Sequence, residues 1–216
     1  AGLAFEGGWN KVKLYFMLGQ PTETVEDMKA IGELAEEIAE RYYEIPKDQR
    51  NGKCQITVST SFFVPKPFTP FQWSPMCTKD DFLGRAKIVN ETIKSQLNKK
   101  SIRYNWHEAD VTMIEGILAR GDRRLCDTMI KIYEKGGIFA AWSEFFDEQI
   151  WLDAFAEDQI DTAFYTTRVR SEDEIFPWDF IDAGVTKNFL LREWHAANAE
   201  TVTPNCRQKC AGCGAM

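Results

Sequence analysis

Residues 11–63 change secondary-structure period twice, and few folds accept that pattern. Lys11-Val12-Lys13-Leu14-Tyr15-Phe16-Met17-Leu18 is rich in β-formers and stops at Gly19, which suits a buried strand. Gly19-Gln20-Pro21-Thr22-Glu23 follows as a tight loop. Thr24 with Asp27 makes a capping box in which Asp replaces the usual Glu. Met28, Ile31, Leu34, Ala35, Ile38 and Tyr42 then recur at helical spacing, and the helix ends before Pro46. After a polar turn at 48–53, residues 55–63 read as a second strand. Strand, amphipathic helix and strand make a βαβ unit, so the two strands should be parallel, with a right-handed crossover.

A parallel sheet carries its working loops at the carboxyl ends of its strands. Here those loops are 19–24 and 64–78. The second, Val64-Pro65-Lys66-Pro67-Phe68-Thr69-Pro70-Phe71-Gln72-Trp73, holds three prolines and three aromatics. Stiff aromatic loops can stack on a flat ligand or simply close the end of the sheet, and composition leaves both open. Phe82, Ala86, Val89, Ile93 and Leu97 mark one face of a helix over about 80–98, followed by a short strand at 102–106. Beyond that the texture turns helical, at about 111–119, 122–135, 148–157 and 187–198. Asp110, Asp147 and Thr186 are the expected N-caps, and Gly184 serves a turn ahead of Thr186. The organisation is therefore α/β over residues 1–106, with a mainly helical extension over 107–216. The chain opens at Ala1, enters a strand almost at once and stops shortly after Cys213, so it reads as a piece of something longer.

Net charge is −7, which disfavours bulk attraction to nucleic acid. A local basic site at Arg120, Arg123 and Arg124 stays open beside the plainer reading of a solvated helix start. No apolar run reaches the ~18 residues of a membrane span, and no secretory leader is visible. The expected compartment is the reducing cytoplasm.

Cys206, Cys210 and Cys213 form a CxxxCxxC run followed by Gly214. Three thiolates at this spacing can converge on a [4Fe–4S] cluster or on zinc, or stand as thiols without a metal. Of the remaining cysteines, Cys54 and Cys126 read as small buried hydrophobes. Cys77 is a remote candidate for a fourth ligand. His107 and His195 lack the spacing of a metal or nucleophile motif, and both read as surface or core residues. Glu23 suits either a carboxylate that orients a polar ligand or one favoured by the helix dipole.

Together these segments resemble radical S-adenosylmethionine enzymes. Val12 to Thr24 is similar to their fifth-strand segment, with its Gly-Leu-Pro-Thr-Glu core. Val58 to Trp73 is similar to the sixth, usually Phe-Val-Pro-Lys-Pro-His-Thr-Pro-Phe-Gln-Trp. Ala119-Arg120-Gly121-Asp122-Arg123-Arg124, Trp142-Ser143-Glu144, Pro177-Trp178-Asp179 and the cysteine triplet are similar to an uncharacterised subfamily that carries an amino-terminal cobalamin-binding domain. The resemblance implies the carboxyl-terminal part of a partial (β/α) barrel. It implies adenine binding near Gly19, Glu23, Phe63 and Val64. It implies a reduced cluster that cleaves S-adenosylmethionine to a 5′-deoxyadenosyl radical, with cobalamin as a further cofactor and an unknown substrate. Gln20 and Phe68 depart from the family's Leu and His, so side-chain roles there do not carry over. The triplet follows the last helix and has Gly212 in place of the aromatic before the third cysteine. It therefore matches an auxiliary metal site, and the catalytic cluster would belong to a missing amino-terminal half of the barrel. The reading from another class is a non-catalytic α/β interaction module stabilised by zinc or a cluster.

Overall fold

The computed structural model describes residues 1–215. It is an α/β structure built around a three-stranded parallel sheet in the order β1-β2-β3. The elements are α1 (Gly2–Glu6), β1 (Lys11–Leu18), α2 (Val25–Glu44), β2 (Gln55–Phe62), α3 (Lys79–Ser95) and β3 (Ile102–Trp106). Then follow α4 (Ala109–Ala119), α5 (Leu125–Glu134), α6 (Glu148–Glu157), α7 (Thr162–Tyr165) and α8 (Lys187–Asn198). No described helix is long and apolar enough to cross a membrane. The chain forms two compact units: Ala1–Phe63 with Lys79–Ala109, and Val64–Thr78 with the chain from Asp110 onward. The Pro-rich segment, read from sequence together with the strands, is thus part of the second unit.

In the first unit β1 and β2 pair in parallel, with Leu14 opposite Val58, and β2 pairs in parallel with β3, with Val58 opposite Tyr104. Side chains alternate across a strand, and here the two faces differ sharply. Ile56, Val58, Thr60 and Phe62 of β2 are buried, and the ring of Phe62 stacks on Phe82 of α3 at 4.6 Å. The opposite face carries Lys11, Lys13, Tyr15 and Met17 of β1, all exposed. β1 was expected to be a buried strand; it is covered on one face only.

Helices α2 and α3 supply the cover, and they lie close together because Gly32 has no side chain. A Cβ there would stand 2.8 Å from Thr92 Cγ2. Buried Glu36 of α2 accepts from the Asn98 amide and side chain at 3.1 and 2.7 Å, fastening the turn after α3. The capping box is present: the Asp27 amide donates to Thr24 Oγ1 at 3.2 Å, and the Thr24 amide donates to the Asp27 carboxylate at 2.8 Å.

Three expectations are corrected. The chain opens with α1, not a strand, and α1 plants Phe5 edge-on against Tyr42 at 5.3 Å. Leu34 and Leu97 are exposed, Leu97 at 88 %; α3 ends at Ser95, so helical periodicity no longer aims Leu97 at the core. Asp110 lies inside the first turn of α4 and is not its cap. Asp147 and Thr186 do cap α6 and α8, accepting from the amides of Gln149 and Phe189.

The second unit is helical, with two apolar clusters. One joins α4, α5 and α6 through Ile114, Ile117, Leu125, Ile132, Trp151 and Phe155. The other gathers Trp73, Phe176, Trp178 and Leu190.

Replacing Thr24 by Ala removes the side-chain acceptor at the start of α2. It should lower unfolding stability by about 1 kcal/mol, read from the urea midpoint with an unchanged slope.

Candidate functional site

The carboxyl end of the sheet is where the first unit places its unusual backbone. Leu18 is opposite Phe62, and the Phe63 amide donates to the Leu18 carbonyl at 2.8 Å. Gly19 and Phe63 therefore leave the sheet side by side. Gly19 has φ +87°, a conformation that glycine adopts without steric cost. The chain turns back, and the Glu23 carboxylate accepts from the Gly19 amide at 3.0 Å. Arg85 of α3 donates to the same carboxylate oxygen. Glu23 is thus the clasp of the 19–24 loop. The helix-start role read from sequence belongs to Thr24 and Asp27 instead.

Beside this loop lies a cavity of about 380 Å³, lined by Phe16, Met17, Gln20, Pro21, Glu23 and Asp27 among others. Phe63 and Val64 are buried, at 6 % and 7 % exposure, and do not line it. The structure therefore brings Gly19, Glu23 and Phe63 to one sheet end, with Val64 as the next residue along the chain. Arg85 was not anticipated; its place in the first half of an amphipathic helix gives no signal of a partner 62 residues away.

The uncovered sheet face forms a wall running up to this end. Lys13, Tyr15, Arg103 and Asn105 are exposed on it, and Thr57, Ser59 and Ser61 are half-buried. Tyr15 is 71 % exposed, and the Lys13 ammonium lies 4.8 Å from its ring centre.

In the second unit the Pro-rich segment enters the core. Its 3₁₀ turn, Pro70–Trp73, buries Trp73 beside Phe176 at 5.9 Å. Gln72 Oε1 accepts from the Phe68 amide at 3.2 Å and from Trp178 Nε1 at 2.9 Å. Of the two roles read from sequence, Trp73 takes the packing one. Gln72 is a buried polar hinge that composition did not reveal.

Arg120, expected within a solvated trio, is 1 % exposed. Its position three residues after Ile117 on α4 was the available sign of an inward face. It donates to the carbonyls of Thr166 at 3.2 Å and Gln72 at 3.5 Å. Burial, reinforced by Arg170 and Arg168, pushes its guanidinium down to about 9. Arg170 is also buried, and its guanidinium stands 3.6 Å from Glu174. Arg168 forms a two-pronged pair with Glu174, both contacts at 2.8 Å. One carboxylate thus serves a group of three arginines. Of the trio, Arg124 is paired with Asp122 at 2.6 Å, and Arg123 is exposed.

Cys54 is buried as expected, whereas Cys126 is exposed, because α5 turns it away from the Leu125, Thr128 and Ile132 face. Cys77 is half-buried. Cys206 and Cys210 are exposed and Cys213 is half-buried, all as free thiols. Among the described residues, no three Cys, His, Asp or Glu side chains are gathered closely enough to hold a metal ion. The triplet as placed is therefore not a formed cage. His107 is exposed, and His195 is exposed with Nε2 2.8 Å from Glu172.

The chain is 34 % identical over 123 residues to an uncharacterized protein of Methanocaldococcus jannaschii, a match covering 57 % of this chain. It spans 24 % of that relative's length. No family model matches the chain, and no solved structure matches it.

Two measurements check this electrostatic reading. Glu23→Ala leaves half-buried Arg85 without its carboxylate and should cost about 2 kcal/mol. Lys66→Ala, which breaks an exposed pair with Glu115, should cost no more than about 0.5 kcal/mol; urea denaturation separates them. Hydrogen bonds from Arg168 hold the Glu174 carboxyl below its ordinary 4.5. Its contribution is whole above that pH and declines as pH falls through the folded value, since the unfolded chain takes up the proton first. Glu174→Gln should flatten that acid limb of the stability profile, followed by tryptophan fluorescence.

Proposed function

We propose that this chain is the carboxyl-terminal part of a radical S-adenosylmethionine enzyme, a partial (β/α) barrel followed by a helical extension. The observation that carries the reading is the one-sided parallel sheet. Parallel sheets are ordinarily covered on both faces. One with helices outside and a polar open face suits the inner wall of a barrel. The adjacent ends of β1 and β2 release Gly19, which opens the Gly-Gln-Pro-Thr-Glu turn, and Phe63, and this pairing of the two strand ends supports the reading.

On this reading Gly19 and Phe63 present backbone and apolar surface to the adenine, and Val64 enters only through the resemblance. The Glu23–Arg85 clasp fixes the turn so that the ligand meets a preorganised loop. Tyr15, Ser59 and Asn105 on the open face would orient a substrate. When bound, the reduced [4Fe–4S] cluster supplies the electron that cleaves S-adenosylmethionine. Its CxxxCxxC loop would lie outside these residues, so the chain alone should be inactive. Cobalamin enters only through the resemblance, and the substrate is unassigned.

The test is a titration of S-adenosylmethionine into isotopically labelled protein, followed by amide NMR. Shifts should appear at Gly19, Glu23 and Phe63, and adenosine should reproduce those at Gly19 and Phe63. No shift at millimolar ligand, or shifts confined to the helical unit, would overturn the reading in favour of a non-catalytic interaction module.

A further inference from the structure

Side-chain size and charge divide the open face of the sheet in a way that its exposure alone does not explain. Parallel register sets the residues in rows across the three strands. Lys13 is opposite Thr57 and Thr57 opposite Arg103; Tyr15 is opposite Ser59 and Ser59 opposite Asn105. Side chains alternate along each strand, and these six all belong to the exposed or half-buried side. The middle strand contributes short hydroxyls, Thr57, Ser59 and Ser61, each half-buried. The flanking strands contribute longer side chains, Lys13 and Tyr15 on one side, Arg103 and Asn105 on the other. The face is therefore a shallow trough with a hydroxyl floor, about 10 Å wide from the β1 to the β3 backbone.

Its charge is one-sided. The strands β1, β2 and β3 contain no Asp or Glu, although the chain has 33 acidic residues against 26 basic. Among the described residues no carboxylate pairs with Lys11, Lys13 or Arg103. The Lys13 ammonium lies 4.8 Å from the Tyr15 ring centre, a contact that orients the charge without neutralising it. Like charges on one sheet face repel, so the trough holds positive charge that no described carboxylate offsets.

We propose that this trough binds a small-molecule substrate through a phosphate monoester, with the phosphoryl group over Thr57 between Lys13 and Arg103. The rest of the substrate lies along Tyr15, Ser59 and Asn105 toward the carboxyl end of the sheet. On the barrel reading, on which this proposal rests, the trough faces inward and its occupant is the substrate. A phosphate monoester carries a charge of about −1.5 to −2 at neutral pH, which the two flanking cations match. A carboxylate carries a single charge and would leave one of them uncompensated. Arginine donates to phosphate in a fork, lysine serves as a point charge, and the threonine hydroxyl supplies a further donor. Lys13 lies five residues before Leu18, so the row is about 16 Å from the sheet end. The phosphate is thus anchored away from the adenosyl group, and the remainder of the substrate reaches up to it.

The experiment titrates the whole labelled chain with glycerol phosphate at low ionic strength, followed by amide NMR, with glycerol and acetate as comparators. Shifts should appear at Lys13, Thr57 and Arg103, fade as salt is raised, and be absent with glycerol. Lys13→Gln and Arg103→Gln should each weaken binding about three- to fivefold, and together at least about tenfold. Lys87→Gln, at an exposed cation of α3, should leave it unchanged. Urea midpoints check that each variant stays folded. A separate titration with S-adenosylmethionine reads Gly19 and Phe63. Shifts at the row without shifts at Gly19 and Phe63 support the phosphate site and count against the adenosyl reading. The reverse pattern overturns the phosphate site and leaves the adenosyl reading standing. Acetate binding as tightly as glycerol phosphate would also overturn the proposal, since a protein carboxylate could then fill the same place. So would Lys87→Gln weakening binding as much as Lys13→Gln.

Discussion

Parallel pairing of β1 with β2 is the constraint from which the first unit follows. Parallel neighbours cannot be joined by a tight hairpin and need a crossover long enough to return the chain to the same end. The twenty-residue α2 is that crossover. With Leu14 opposite Val58 and Leu18 opposite Phe62, the register also decides which loops meet: Gly19 and Phe63 emerge together. A one-residue slip would invert one strand's faces, exposing Ile56 and Val58 while driving Thr57 and Ser59 into the helices. The alternation of burial along β2 therefore secures the register, and the register secures the loop pair.

The second unit solves a different problem. Its long irregular connections bring polar backbone inside, and buried carbonyls need donors. Arg120 meets two of them, from Thr166 and Gln72, while Gln72 turns its own side-chain oxygen to Phe68 and Trp178. Buried guanidiniums in such number are costly unless paired. Glu174, held ionised by its hydrogen bonds from Arg168, is the anion that makes the group tolerable. Packing of the aromatics and satisfaction of the carbonyls are one arrangement here, with Gln72 at its centre.

Local signals carried much of this structure. The β1 and β3 boundaries, the Thr24 cap, the Asp147 and Thr186 caps and the turn at Gly184 were all legible, because each rests on residues within about one helical turn of one another. What escaped the sequence depends on distant partners. Arg85 reaches Glu23 from another helix, Arg120 is buried by residues 46 and 48 positions away, and α5 rotates Cys126 outward. Likewise the strand pattern announced a sheet without saying that one face would stay bare. That depends on what else is available to cover it.

Lys11 and Lys13 gain a second meaning from that bare face. β1 is the last strand on its side of the described sheet, and an open strand border is a template for unwanted pairing with another chain. The exposed surface beside that border begins with two ammonium groups. A second copy pairing along this border in parallel register would set Lys11 and Lys13 beside their own counterparts, and like-charge repulsion would discourage the fit. The charges that leave the wall polar therefore also count against parallel growth of the sheet by self-pairing.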